Sequence, residues 1–145
     1  MKKIYNTWKE FLKEDDTKVI KSLKNVMDIV KSNPNQTKNL DYPRGSIKRF
    51  GGKREFHLPF DYGEYVDLIN PADNMGWDFV IVPSSSNTDN LLPVGYVKYA
   101  NDQGKKIGND KIIIAPKGEY SKQDVEKLET FFASVGFFDP IVWTK

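Results

Sequence analysis

The sequence has no cysteine and a single histidine, His57. The first absence excludes disulfides, thiolate nucleophiles and zinc–thiolate centres. The second leaves one imidazole for any Ser-His-Asp triad or histidine metal site. A lone histidine is more often a structural or surface residue than a ligand. Charge of either sign is in small excess only. Lys and Arg total 22 against 20 for Asp and Glu, a net of +2. A dedicated nucleic-acid binder normally carries a strong basic excess, so that class is disfavoured. No apolar run reaches the length of a transmembrane span, and residues 1–10 have no signal-peptide core. The expectation is a cytoplasmic protein with no membrane partner. No internal repeat and no low-complexity tract is present.

What is present is 145 residues, 39% of them hydrophobic, with nine Phe, seven Tyr and three Trp. That suffices for one domain with a packed core. The tools left for chemistry are carboxylates, Lys, Arg and Tyr. They suit hard cations and phosphate better than acyl transfer.

Periodicity divides the chain near residue 39. Ile4, Trp8, Phe11 and Leu12 share one helical face, and Val19, Ile20, Leu23, Val26, Met27 and Val30 form a second stripe. Asp15, Asp16 or Thr17 can cap the second helix, Lys31 suits its C-terminal dipole, and Asn33-Pro34-Asn35 stops it. These stripes are expected to dock on the rest of the fold as an N-terminal helical extension, 1–39. From Leu40 short apolar runs alternate with Gly, Pro and Asn. Phe79-Val80-Ile81-Val82, Val94-Gly95-Tyr96-Val97-Lys98-Tyr99 and Lys111-Ile112-Ile113-Ile114-Ala115 read as strands, the last buried on both faces. A helix follows over 121–135, with Ser121 as N-cap, a stripe of Val125, Leu128, Phe131, Phe132 and Val135, and Gly136 as left-handed C-cap. The tail 137–144 is apolar enough for a last strand. The predicted fold class is α+β: a small closed or partly open β-barrel over 40–145 with a C-terminal helix.

The acidic residues gather at strand ends. Asp73 and Asp78 flank a turn before the run 79–82, Asp102 follows the strand 94–99, and Asp110 precedes the strand at 111. A barrel would bring such positions to one rim, where carboxylates repel unless a cation neutralises them. Magnesium takes few protein carboxylates and completes its shell with water and substrate oxygens. On composition alone, ordinary turn aspartates are the favoured reading.

Five segments alter that balance. Asp41-Tyr42-Pro43-Arg44-Gly45-Ser46, Leu58-Pro59-Phe60-Asp61-Tyr62-Gly63 and Asp73-Asn74-Met75-Gly76-Trp77-Asp78 stand in order with Pro93-Val94-Gly95-Tyr96-Val97-Lys98 and Asn109-Asp110-Lys111-Ile112-Ile113-Ile114-Ala115-Pro116. Together they resemble the soluble, barrel-type inorganic pyrophosphatases, in a short divergent branch of the kind found in phage and mobile elements. The resemblance implies magnesium-dependent hydrolysis of pyrophosphate or a related phosphoanhydride, with manganese able to substitute. It implies Asp73, Asp78 and Asp102 as metal ligands, Asp41 reaching the metals through water, and Asp110 as a further acidic candidate. Arg49, Lys111 and Tyr62 would be phosphate donors, with Arg44 and Lys48 beside them.

The sequence departs from the family pattern at several positions. Met75 stands where a third Asp is common, Leu58 replaces a Tyr, Asp61 replaces an Asn, and Asn109 replaces an acidic residue. The loop at 103–108, with Lys105 and Lys106, is longer than in the family. These losses keep a second reading open: a catalytically degraded barrel that binds a phosphate-bearing ligand or a protein. A third reading, a single-strand nucleic-acid barrel, draws on Tyr96, Tyr99 and the lysines but meets the near-neutral charge. Oligomerisation is compatible with all three.

Overall fold

The computed structural model describes residues 17–50, 54–85, 88–99 and 110–145. In chain order the described elements are β1 (Lys18–Val19), α1 (Leu23–Ser32), β2 (Lys38–Tyr42), β3 (Ile47–Phe50), β4 (Arg54–His57), β5 (Asp61–Asn70), β6 (Met75–Ile81), β7 (Leu91–Val97), β8 (Lys111–Pro116), α2 (Lys122–Val135) and β9 (Val142–Trp143). Three consecutive isoleucines leave β8 without a polar face. It accordingly runs through the middle of the sheet, parallel to β6 on one side and antiparallel to β7 on the other. The sheet order is β1-β5-β6-β8-β7-β9, and β2 shares the β1 edge of β5. β3 and β4 form a separate hairpin.

Alternation along the strands feeds two cores. Phe79, Ile81, Ile112 and Ile114 pack with Val26 and Val30 of α1. Val80, Val82, Ile113 and Ala115 pack with Leu128, Phe131, Phe132 and Val135 of α2, and with Phe50 of the hairpin. The two helices therefore cover opposite faces. This architecture is a mixed α+β sheet. Among the described residues it is not a closed barrel, because the β1/β2 edge and the β9 edge do not pair with each other. No described helix is long and apolar enough to cross a membrane.

The N-terminal expectation needs correction. The stripe from Val19 to Val30 is not one helix. Lys18 and Val19 pair in parallel with Leu68 and Ile69 of β5, and the helix starts only after Ser22, whose hydroxyl accepts the Asn25 N–H. Val19 and Ile20 are both β-branched, the Ile20 N–H extends the pairing to the Ile69 carbonyl at 2.8 Å, and beside an open strand edge such residues gain more from the ladder than from one more helical turn. Val19 lies outside the core, whereas Ile20, Val26 and Val30 lie within it. The stripe at residues 4–12 and the caps Asp15 and Asp16 lie outside the described residues.

The C-terminal helix forms as read. Ser121 caps it in a full capping box with Asp124, and Gly136 closes it at φ 87°. Asp124 is only 1% exposed. Its carboxylate accepts the Ser84 N–H at 2.9 Å and the Ser84 hydroxyl at 2.7 Å, tying the loop after β6 to the start of α2. Burial alone would raise the Asp124 pKa, but the bonds from Ser121 and Ser84 outweigh it and hold the carboxyl below its ordinary value. A depressed carboxyl stabilises the fold above its unfolded pKa and loses that contribution as pH falls through its folded pKa. Asp124→Ala is expected to cost about 1.5–3 kcal/mol at neutral pH. Urea unfolding at pH 7 and at more acidic pH checks this, the gap to wild type narrowing in acid.

Candidate active site

The sheet register builds a polar row. Glu64 of β5 is opposite Asp78 of β6, and Asp78 is opposite Lys111 of β8. All three lie on the α2 side, since the neighbours Phe79 and Ile112 pack toward α1 while Val80 and Ile113 pack toward α2. Lys111 is 4% exposed, and its ammonium donates to Asp78 Oδ2 at 2.7 Å. The Tyr62 hydroxyl donates to the same oxygen at 3.0 Å. Both donors use Oδ2, so Asp78 Oδ1 has no hydrogen-bond donor among the described residues.

Five other segments complete an open cleft of about 710 Å³ over this row. On β2 the pairing slips between Leu40 and Tyr42, and this bulge lets Asp41 and Tyr42 both line the cleft. The hairpin supplies Lys48, Arg49 and Phe50. The Lys48 ammonium lies over three rings, 4.9 Å from the centroids of Tyr42 and Phe50 and 5.2 Å from that of Tyr62. The turn before β6 is set by Asn74 at φ 60° and by Asp73, whose carboxylate accepts the Met75 N–H at 3.0 Å. Past β7, Tyr99 bridges to Phe138, and Phe137 and Phe138 follow the left-handed Gly136 into the cleft wall.

The charges in this cleft act on one another. Burial, then the Asp78 charge, raises the Asp41 pKa, with Lys48 opposing. Burial, then Asp41 and Asp78, raises Glu64, with the Gly76 N–H opposing. Burial and the neighbouring Lys111 lower Lys48. Burial and Asp78 push the Tyr62 phenol well up, so it stays a neutral donor.

Six of the residues named from sequence line the cleft: Asp41, Arg49, Tyr62, Asp73, Asp78 and Lys111. Lys48 joins them. Asp110 does not line it; its carboxylate accepts the Tyr99 N–H at 2.9 Å. Asp102 lies outside the described residues. Arg44 is directed elsewhere, its guanidinium donating to the Pro83 carbonyl beside His57 and α2. Glu64 escaped the sequence reading, as did Phe137 and Phe138 as parts of the cleft wall, and Tyr99 was named only for a nucleic-acid barrel. Glu64 sits inside a ten-residue strand and reaches Asp78 only through non-local pairing.

Magnesium fits this donor set in one form only. Among the described residues no three carboxylate or imidazole groups converge as an all-protein cage would require. One or two carboxylates with retained water are the usual magnesium arrangement. Asp41 and Glu64, both pushed toward protonation first by burial and then by neighbouring carboxylates, are suited to a hydrated cation. No family model matches this chain, and neither a curated protein nor a solved structure matches it.

Proposed function

We propose that the cleft binds a phosphate-bearing anion together with magnesium and hydrolyses a phosphoanhydride, with pyrophosphate the default substrate. The observation that carries this reading is the row Glu64–Asp78–Lys111, with Tyr62 donating to the same Asp78 oxygen that Lys111 holds. A buried base beside two partly buried acids in one cross-strand row, open to a cleft lined by further charges of both signs, suits a dianionic substrate and its counter-cation. A metal held by Asp73, with Asp41 and Glu64 behind water, would neutralise phosphate charge and acidify water. Manganese could substitute.

The protein's own groups have distinct tasks. Lys111, Lys48 and Arg49 attract and orient phosphate oxygens. Tyr62 keeps its proton and donates. Asp78, oriented through Oδ2, presents Oδ1 to accept a proton from attacking water. Within this reading the sheet with its covering hairpin is a partly open barrel of pyrophosphatase or OB-like type, and a cytoplasmic location follows from the substrate. A second reading, a degraded barrel serving as a phosphate-ligand or protein-binding module, is favoured by one observation: Lys111 and Tyr62 already occupy Asp78 Oδ2.

Steady-state phosphate release from pyrophosphate across a magnesium series, repeated with manganese, separates the two readings. Metal-dependent release is expected. Lys111→Ala should lose about a hundredfold in rate while calorimetric magnesium binding persists, and Asp73→Asn should weaken that binding. If wild type releases no phosphate at any metal concentration, the hydrolase reading fails and the binding-module reading takes its place.

A further inference from the structure

The cleft is chemically two-sided. Across the sheet its charged groups run from Asp41 on β2 through Glu64 and Asp78 to Lys111 on β8. Beyond Lys111, on the β7 side, the lining changes to Tyr99, Phe137 and Phe138, each partly exposed. An inorganic phosphoanhydride has no apolar surface to set against those rings. A partly exposed ring face offers a flat partner a surface on which to stack.

The wall is also held in place. Tyr99 meets Phe138 edge-on at 6.0 Å and lies tilted to Phe137 at 6.4 Å. Its backbone N–H is fixed by Asp110 at 2.9 Å, and the Asp139 N–H donates to the Lys98 carbonyl at 2.9 Å. Phe138 rests against the buried Phe132 at 5.0 Å. Rings fixed before binding cost little to order when a ligand stacks on them. The cleft volume of about 710 Å³ falls in the range of sites for organic ligands and exceeds what two phosphates need.

We infer that the substrate of this cleft is a nucleoside polyphosphate, its base stacked on the Tyr99–Phe137–Phe138 wall and its phosphates beside Lys111 and Lys48. This inference rests on the reading of the cleft as a phosphate site. In the reaction the oxygen of water bonds the terminal phosphorus and the bridging P–O bond breaks. The bridging oxygen leaves on the shortened nucleotide, orthophosphate is released, and one proton passes to solvent.

Calorimetry with magnesium tests it, comparing adenosine β,γ-methylenetriphosphate with a methylene-bridged triphosphate that lacks the nucleoside. Wild type should prefer the nucleotide by about tenfold or more, the usual worth of one base–aromatic stack. In Tyr99→Ala and, separately, Phe137→Ala the ratio should fall toward one, whereas Tyr99→Trp should keep it. Equal affinity of wild type for the two probes overturns the inference, whatever the turnover. Pyrophosphate hydrolysis with equal affinities leaves the hydrolase reading standing alone. Nucleotide preference without phosphate release keeps the base-stacking site but makes the nucleotide a ligand and not a substrate, and failure of both probes to bind overturns the inference.

Discussion

Asp78→Asn is expected to lower phosphate release by about 10²–10⁴-fold, the range that a positioned general base contributes. Asp78 is the shared member of every polar contact at the base of the cleft. It is opposite Glu64 and Lys111 in the sheet, and it accepts from Lys111 and Tyr62. Asparagine preserves the shape but cannot take a proton and does not balance the Lys111 charge. The Lys111 side chain is 5% exposed against 21% for that of Asp78. Breaking a buried pair by removing one partner costs about 3–5 kcal/mol, and the open side of Asp78 reduces that figure here. The rate loss must therefore be separated from unfolding. The double variant Asp78→Asn with Lys111→Met removes the orphaned cation and should regain stability without regaining turnover. If Asp78→Asn releases phosphate at the wild-type rate while folded, the central assignment is wrong.

The legibility of this site from sequence follows the range of the interactions that make it. β8 and α2 were readable because their causes are local: three isoleucines in a row, and Ser121 with Asp124 at one end and Gly136 at the other. Asp73 and Lys111 were readable because each sits at or beside a strand end, whereas Asp78, expected just before the run 79–82, lies in the middle of β6, which already begins at Met75. Glu64 was not, since its meaning comes from a register fifteen residues of chain do not reveal: β5 must fold back so that Glu64 faces Asp78. The long β5 was itself hidden, because its first residues belong to a segment quoted only for its family likeness, Leu58-Pro59-Phe60-Asp61-Tyr62-Gly63. In the structure the bend ends at Phe60 and the strand begins at Asp61.

Arg44 and Asp110 show the converse. Both residue types suited the expected chemistry, yet each is engaged by a backbone group: the Pro83 carbonyl for Arg44, the Tyr99 N–H for Asp110. A charged side chain near a site in sequence meets whichever unpaired backbone group the fold brings closer. The β1 strand failed for a related reason. A helical stripe and a strand beside an open edge present the same apolar residues, and only the unpaired edge of β5 decides between them.

Phe132→Ala should produce the largest loss of stability, about 3–5 kcal/mol, the range for deleting a buried Phe ring. Phe132 is 2% exposed. It stacks on Phe60 at 5.7 Å and 11°, and meets Phe131 at 5.3 Å and Phe138 at 5.0 Å edge-on. Its neighbours cannot close readily over the gap. Phe60 is fully buried just before β5, and Phe131 is already in contact with Phe50 and Phe56 of the hairpin. The void would therefore persist, and its cost adds to the lost transfer energy of the ring. A domain of this size has only about 5–15 kcal/mol in total, so urea unfolding should show the midpoint move far toward zero denaturant. Phe132→Leu, which refills most of the volume, should lose much less. The same ring backs Phe138 in the cleft wall, so in Phe132→Leu, where the fold survives, the preference for nucleotide over bare triphosphate should also weaken. A loss under about 1 kcal/mol for Phe132→Ala would show that α2 does not anchor on the sheet through this ring, and that the wall behind the cleft is supported elsewhere.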